Sequence, residues 1–329
     1  MNNDPKENRR QFLRVLTHFD PFLFMGTVAA LVIWLLSALG CSRSTPSSDV
    51  VTYAAQDQVY AEPILQQFEK ESGIKVKAVY DSEAVKTVGL ANRLIAERDH
   101  PQCDVFWGNE EMRTRQLAAQ NVFRETNGWV AFGYRSRRIV INTNKLSLID
   151  APKSLFELTN ETWRGKVALA FPQFGTTATH FHALKQLWGN PNWLMWCRAL
   201  AANKPFIVDG NSVVVKFVTR GEAWIGLSDS DDIAAAQAEG APLAALPLNA
   251  ESLLIPNTIA VIRNAPHPSN AQKLFDYLQR RQVADKLVAA SALESATNAP
   301  VNIHMTSNWD ALLGELETTT KQLNEIFLR

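Results

Sequence analysis

The chain has 329 residues, with 33 basic and 33 acidic side chains, 46% apolar residues and three cysteines. This length provides enough apolar material for one large domain or two ordinary ones. Zero net charge argues against a nucleic-acid-binding protein, whose surface is normally basic, and three cysteines cannot form a disulfide framework.

The first feature along the chain is a hydrophobic segment at residues 22–40, which contains no charged side chain. Its length is close to the ~20 apolar residues that cross a bilayer core. Basic residues precede it, and Cys41 follows small residues typical of a lipoprotein processing site. We predict that residues 1–41 are a signal, lipoprotein or membrane-anchor segment with Cys41 as the lipid anchor, and that residues 42–48 are a linker.

The export route stays open. The sequence from Arg9 to Arg14 resembles a twin-arginine export motif, but positive charge before an apolar segment also orients an ordinary membrane helix. Either route leaves the rest of the chain at the outer face of the membrane. We expect Cys103 and Cys197 to be separate buried thiols there, because nothing in their spacing requires a disulfide.

The first part of the exported region alternates strands with helices. Apolar spacing predicts strands at 49–54, 74–80 and 103–107, and helices at 63–72, 85–97 and 112–120. Repeated units of this kind favour a parallel sheet with helices packed on it.

A long strand at 130–142 and a helical connection at 152–162 lead into a second set of units. Their predicted strands are 166–170, 205–208 and 223–227, and their predicted helices are 177–188, 193–202, 212–220 and 231–239. A second long strand at 252–263 precedes helices at 268–280 and 308–327.

Two long strands around a central block predict two lobes joined by two crossing strands. We assign residues 49–140 and 253–300 to the N-lobe, and residues 141–252 and 301–329 to the C-lobe. A cleft between lobes, at the carboxyl ends of the strands, is where α/β proteins bind small ligands.

Polar residues follow several predicted strands, at the start of the next helix. These junctions are 56–58, 108–110, 174–177, 210–212 and 228–232. Any one of them is explained as a helix cap, since Ser, Thr, Asn and Asp are preferred there. Several on one rim of a cleft favour an anion site, because helix N-termini present free N–H groups and a positive dipole.

The junction Asp229-Ser230-Asp231-Asp232 places three carboxylates within four residues. Helix capping uses one carboxylate and not three, so the cluster favours a hard cation or an ammonium group held through oxygen. The alternative is that the helix dipole alone favours acidic residues in a first turn.

Other candidates are less specific. Tyr134 and Arg135 either reach an anion in the cleft or lie on the exposed side of an edge strand. We expect His180 and His182 to be solvated or core residues, and the tryptophans at 188, 193 and 196 to be core.

Several segments carry a family resemblance: the region from TYAAQ to FWGNEE, then RSRRIVINTNKL, FGTTATH, GNSVV, GEAWIGLSDSDD and LLIPNTIAVIRN. They resemble the bacterial extracellular solute-binding proteins of ABC importers, in particular the ferric-ion-binding periplasmic branch. The resemblance covers nearly all of the exported region, with the segments in a similar order.

The resemblance implies an α/β, two-lobed periplasmic-binding-protein fold of type II-like architecture with two crossing hinge strands. It implies a monomeric receptor, not an enzyme, at the periplasmic face of the cytoplasmic membrane. Its partners would be the permease and ATPase subunits of an ABC importer, with no nucleic acid.

The resemblance also implies a ligand set. The adjacent tyrosines of ferric-binding relatives fall at Asp231 and Asp232, a histidine falls at Asp57, and a glutamate falls at Asn109 or Glu110. An all-oxygen metal site would then consist of Asp57, Glu110, Asp231 and Asp232. A synergistic anion, carbonate or phosphate beside a ferric ion, would be held by Thr176, Thr177, Asn211 and Ser212.

Two other ligands or activities remain open. The same receptor could take an organic phosphate, an aminophosphonate or a sugar phosphate, with carboxylates binding the amine or hydroxyl groups. A metal-dependent transferase is the alternative from another class, but the sequence shows no nucleophile with a partnered base and no phosphate-loop motif.

Overall fold

The structure is a computed structural model that describes residues 49–80, 86–126, 128–297, 305 and 307–328. The described strands are β1 (Asp49–Ala54), β2 (Lys75–Tyr80), β3 (Val105–Gly108), β4 (Trp129–Asn142), β5 (Val167–Ala170), β6 (Phe206–Val208), β7 (Ile225–Asp229), β8 (Leu243–Ala245) and β9 (Leu254–Val261).

Eleven α-helices are described between and after these strands. They are α1 (Gln58–Ser72), α2 (Lys86–Ala96), α3 (Glu111–Ala119), α4 (Gly175–Trp188), α5 (Asn190–Ala202), α6 (Asn211–Thr219), α7 (Ser230–Ala238), α8 (Pro268–Leu278), α9 (Arg281–Ala289), α10 (Trp309–Gly314) and α11 (Leu316–Phe327). Two 3₁₀ turns, Phe156–Thr159 and Glu161–Trp163, form the connection before β5.

Two parallel sets of strands are joined through two long antiparallel strands. The order across the sheet is β2-β1-β3-β9-β4-β7-β5-β6, and β8 pairs with β4. Strands β1, β2 and β3 run parallel, as do β5, β6 and β7, whereas β9 and β4 pair antiparallel to each other and to their neighbours. The two long strands predicted from the sequence are therefore the connection between the two sets.

Strand β4 changes partner partway along its length. Its pairing with β9 shifts register between Phe132 and Arg135, and its later residues pair with β7. Gly133 lies in the shift with a φ of 55°, in the left-handed region that favours glycine. A Cβ there would lie 2.7 Å from the Ser295 carbonyl oxygen, so this irregularity requires glycine.

Apolar residues form separate cores under the two strand sets. One core combines β1, β3, β9 and helices α1, α2, α8 and α9, around Trp107 and Phe106. The other combines α4, α5, β5, β7 and the C-terminal helices, around Trp193 and Trp196. A smaller cluster packs α6 on the sheet. The strands packed in these cores end at the polar segments that precede the next helices.

Most predicted elements are confirmed, with ends shifted by a few residues. The predicted single C-terminal helix at 308–327 is wrong in one respect, because the chain divides into α10 and α11 at Glu315. Trp193 and Trp196 are core residues, and Cys103 and Cys197 are separate buried thiols, as predicted.

The predicted N-terminal segment at 1–41, with Cys41, and the linker at 42–48 lie outside the described residues. Among the residues that are described, no helix is both long and apolar enough to span a bilayer.

Candidate functional site

A small polar cavity lies where the strands of both sets end. Its volume is about 40 Å³. Its lining residues follow or end β1, β3, β5, β6 and β7, together with one residue within β4: Asp57, Asn109, Arg135, Ala170, Phe171, Phe174, Gly175, Thr176, Thr177, Gly210, Asn211, Asp229, Asp231 and Asp232. Because carboxyl ends of parallel strands meet at one edge of a sheet, junctions distant in sequence converge there.

Asp229 is the most heavily bonded residue of the cavity. Its carboxylate accepts hydrogen bonds from Arg137 at 2.8 Å, from Thr176 at 2.8 Å and from Asn211 at 3.1 Å. Burial alone would raise its pKa, but the charges of Arg137 and Arg135 outweigh burial and lower it. Asp229 is therefore ionised, and its carboxylate oxygens already accept hydrogen bonds from other residues of the chain.

Arg135 and Arg137 bring positive charge to the carboxylates of Asp229 and Asp231. Both are nearly fully buried, because β4 lies between β9 and β7 and is not an edge strand. The exposed-edge alternative for Arg135 is therefore wrong. Its guanidinium lies 3.4 Å from oxygens of both Asp229 and Asp231, and its NH1 donates no hydrogen bond to any residue in the described ranges.

Asp231 and Asp232 lie in the first turn of α7, and they face the same cavity as Asp57. One oxygen from each of Asp229, Asp231 and Asp232 lies within 4.8 Å of the others. Burial, followed by the charges of Asp229 and Asp57, raises the pKa of Asp231 to about 7 against the opposing charge of Arg135. The cluster is thus crowded enough for its carboxylates to disfavour one another's ionisation.

Tyr60 is a further residue near these carboxylates. It is the third residue of α1, three positions after Asp57. Burial raises the pKa of its phenol to about 12, and the charges of Asp231 and Asp232 contribute to the shift. Its hydroxyl is therefore neutral near pH 7 and lies within electrostatic range of the carboxylates.

The N-termini of two further helices also line the cavity. Thr176 and Thr177 lie in the first turn of α4, and Asn211 begins α6. The first-turn N–H groups of a helix have no acceptor within that helix, so they attract an anion. Gly175 has a φ of 54°, which lets the chain enter α4 directly at the cavity.

The hydroxyl groups of Thr176 and Thr177 already form hydrogen bonds within the protein. Thr176 donates to Asp229 and accepts from the Asn211 amide at 3.0 Å, while Thr177 donates to Asn211 at 3.4 Å. Backbone amides are therefore the main donors available to an anion. Ser212 follows Asn211 in α6, but it does not line the cavity.

Glu110 is not brought to the cavity. Its carboxylate caps α3, accepting from the backbone N–H groups of Met112 at 2.7 Å and Arg113 at 2.9 Å. It also accepts from the Thr179 hydroxyl at 2.9 Å and is 1% exposed. Asn109, the preceding residue, lines the cavity in its place.

Sequence reasoning missed Arg137, Tyr60 and the structural role of Asp229. Two arginines separated by one residue in a predicted apolar strand were the available signal, because side chains two apart share a face. A buried pair of this kind needs carboxylates, and Asp229 lies in the cluster that the sequence already showed. No comparable sequence signal pointed to Tyr60.

The sequence matches a known protein family over most of its length. The sequence profile of the bacterial extracellular solute-binding proteins matches residues 49–290. The chain belongs to this family. A solute-binding protein captures its ligand without converting it, which agrees with the prediction that the chain is not an enzyme.

This solute-binding protein is similar in sequence to ferric iron-binding proteins of other bacteria. It is 26% identical to the major ferric iron-binding protein of Neisseria meningitidis over 304 residues, covering 84% of this chain and 88% of that protein. It is 29% identical to the Fe(3+)-binding periplasmic protein of Serratia marcescens over 221 residues, covering 62% of this chain and 63% of that protein.

Solved structures show that the predicted α/β fold is that of periplasmic binding proteins. Iron-bound HitA from Pseudomonas aeruginosa has a TM-score of 0.73 at 19% identity, covering 84% of this chain and 99% of HitA. AfuA from Actinobacillus pleuropneumoniae, with fructose-6-phosphate bound, has a TM-score of 0.72 at 17% identity, covering 85% and 98%.

Proposed function

We propose that this protein is the extracytoplasmic binding component of an ABC importer and captures a hard metal ion, such as ferric iron, together with a small anion. Asp57, Asp231 and Asp232 would supply oxygen ligands. The N-termini of α4 and α6, with Arg135, would hold the anion. Iron is the cargo in this proposal and not a resident cofactor.

The observation that carries the proposal is the combination of charge and size in the cavity. Apart from Asp229, which is paired with Arg137, three carboxylates line it against the guanidinium of Arg135, an arrangement that favours a cation of high charge. Its volume of about 40 Å³ is small beside the roughly 300–1,000 Å³ of typical ligand pockets, which favours a compact ligand such as an ion with carbonate or phosphate over a sugar phosphate. The ferric iron-binding relatives support the same cargo.

The assignment departs from the sequence hypothesis at two positions. Glu110 is occupied as the cap of α3, so we leave it out of the metal ligands. Ser212 follows Asn211 but does not line the cavity. We therefore place the anion on Thr176, Thr177 and Asn211.

The remaining parts of the receptor hypothesis follow from this role. The lobes at 49–140 with 253–300, and at 141–252 with 301–329, would close on the ligand by bending of β4 and β9. The protein would act as a monomer that delivers iron to permease and ATPase subunits. Residues 1–41 would hold it at the periplasmic face of the membrane through Cys41 or an uncleaved helix.

A second candidate is a phosphate ester, such as a sugar phosphate. Arg135 favours it, because its guanidinium group lines the cavity. A phosphate would accept from that group and from the helix N-termini. The similarity of fold to a fructose-6-phosphate-bound protein is consistent with this ligand.

The test is iron binding by the double variant Asp231→Ala, Asp232→Ala. The unaltered chain should bind one ferric ion, supplied as the citrate complex, and the variant should bind at least tenfold more weakly because two oxygen ligands are lost. Calorimetry and elemental analysis measure the affinity and the iron content. Glu239→Ala, an exposed acidic residue directly after α7, is the matched control and should bind normally.

Two results would distinguish the candidates. Equal iron affinity in the double variant would refute the proposed ligands. Binding of fructose-6-phosphate in the presence of a metal chelator, without binding of iron, would replace the ferric proposal with the phosphate-ester candidate.

A further inference from the structure

The start of helix α3 is shared between the two strand sets. The helix follows β3 of the first set, and Leu117, near its end, is buried in the first core. Met112, in its first turn, is instead fully buried in the second core, which also contains Ala178 and Phe181 of α4. The first turn of α3 therefore packs in the core of the opposite strand set, and Met112 does not line the polar cavity.

A buried hydrogen bond joins the same turn to α4. The Glu110 carboxylate accepts from the Thr179 hydroxyl at 2.9 Å, and both side chains are almost completely buried. This carboxylate also accepts from the N–H groups of Met112 and Arg113 in its own helix. A hydrogen bond to a charged group is stronger than one between neutral groups, and its loss in a buried place is costly. Thr179 thus supplies Glu110 with a partner from the other strand set.

A cation–aromatic contact lies one turn farther along α3. The guanidinium carbon of Arg115 is 5.2 Å from the ring centroid of Trp129, in β4, and 5.2 Å from that of Trp309, in α10. Helix α10 packs against α3 and belongs to the C-lobe in the division proposed above. Each contact of this kind contributes modestly where it is partly exposed, so it adds to the attachment made by Glu110 and Met112.

We propose that Glu110, Met112 and Arg115, which we call the α3 latch, hold the two lobes together and so control how long the cargo stays bound. All three contact the opposite lobe outside the polar cavity, so they favour the closed arrangement without touching the cargo. Parting of the lobes must withdraw Met112 from the second core and separate Glu110 from Thr179. This inference rests on the closing motion in the proposed function.

Methionine oxidation by hydrogen peroxide, followed by peptide mass spectrometry, measures opening of the latch in the full chain without added cargo. Oxidation requires access to the thioether sulfur, which the latch denies to Met112 while the lobes are together. Met195 is exposed, and Met305 is buried in the second core. Met112 should therefore oxidise roughly tenfold or more slowly than Met195.

Variants of Thr179 break the latch selectively. Thr179→Val keeps the shape of the side chain but removes the hydroxyl, so it should raise the oxidation rate of Met112 about fivefold. Thr179→Ser keeps the hydroxyl and should retain the slow rate. Arg115→Gln removes the cation at the edge of the latch and should raise the rate about twofold.

Thr319→Val is the matched control. The buried Thr319 hydroxyl accepts from the charged Lys185 amine at 2.9 Å, and both residues belong to the C-lobe in the proposed division. The substitution therefore removes a buried hydrogen bond to a charged group within one lobe, and the oxidation rate of Met112 should stay unchanged.

Iron release tests the connection of the latch with the cargo. Ferric iron bound to Thr179→Val should pass to excess EDTA about fivefold faster than iron bound to the unaltered chain, because release requires the lobes to part. The oxidation assay contains no iron. Failure of the unaltered chain to bind iron would therefore refute the proposed cargo, while the oxidation of Met112 would still decide whether the latch exists.

The proposal would be overturned if Met112 oxidised as fast as Met195, or if Thr179→Val left the Met112 rate unchanged. An equal rise at Met305 would also contradict it, because the whole second core would then have loosened. Equal rates of iron release from Thr179→Val and the unaltered chain would exclude control of release by the latch. The comparison of Met112 with Met195 uses the unaltered chain, so it does not depend on the folding of a variant.

Discussion

Asp229 determines the electrostatics of the polar site. It is the last residue of β7 and balances two buried guanidinium groups, while its neighbours in α7 face the cavity. A buried ion pair contributes little net stability by itself, but removal of one partner leaves an uncompensated charge in a poorly solvated place. The residue is therefore structural as well as electrostatic.

We expect Asp229→Asn to lower the free energy of unfolding by on the order of 3 kcal/mol, because Arg137 would keep its charge without a counterion and Arg135 would keep only Asp231. Urea denaturation monitored by tryptophan fluorescence measures the change. Asp285→Asn is the control, since its pair with Arg281 is largely exposed and such pairs contribute about 1 kcal/mol or less. Equal effects of the two variants would contradict this role of Asp229.

At the scale of secondary structure, the register shift in β4 connects the fold with the site. The strand leaves β9 and continues beside β7, so Arg135 and Arg137 meet the carboxylate at the end of β7. Gly133 permits the shift because the position has a positive φ and the Ser295 backbone lies close.

Gly133→Ala should therefore destabilise the protein by about 2–4 kcal/mol, through backbone strain and overlap with the Ser295 carbonyl. Gly165→Ala is a matched control: Gly165 has a φ of 68° but nothing within 4 Å of an added Cβ, so only strain of about 1–2 kcal/mol applies. Thermal and urea unfolding measure both. Similar losses in the two variants would show that the Ser295 contact has no effect.

At the scale of the whole molecule, buried histidines make the stability of the folded state depend on pH. Burial, with the charges of Arg113 and Lys185, lowers the pKa of His182 to about 3, below the ordinary 6.5 that it regains on unfolding. The unfolded chain then binds a proton that the folded chain does not. Stability is fully present above pH 6.5 and falls as the pH decreases from 6.5 toward 3.

We predict that His182→Gln reduces the loss of stability between pH 7 and pH 5 by about 2 kcal/mol, the linkage expected for one such histidine. Urea denaturation at the two pH values measures the difference. His100 is exposed, so His100→Gln should leave the pH dependence unchanged. An identical pH dependence in His182→Gln and the unaltered chain would contradict the prediction.

The sequence by itself determined the family and the chain order of the strands and helices, apart from β8, for which no strand was predicted. Apolar spacing is a local property, so β1 was predicted with its observed bounds, and Gly73 ends α1 at the predicted place with a φ of 72°. The division between α10 and α11 was missed because the apolar spacing continues through Glu315, although Gly314, the last residue of α10, was an available stop signal.

Only the tertiary structure decided which polar residues share a cavity. Asp57, Thr176 and Asp231 are far apart in sequence, and they meet because parallel strands end at one edge. Glu110 and Asn109 are adjacent, yet the capping of α3 turns the carboxylate away and leaves the amide at the cavity. The pairing of Arg137 with Asp229 depends on strand register, which residue spacing along one strand does not specify.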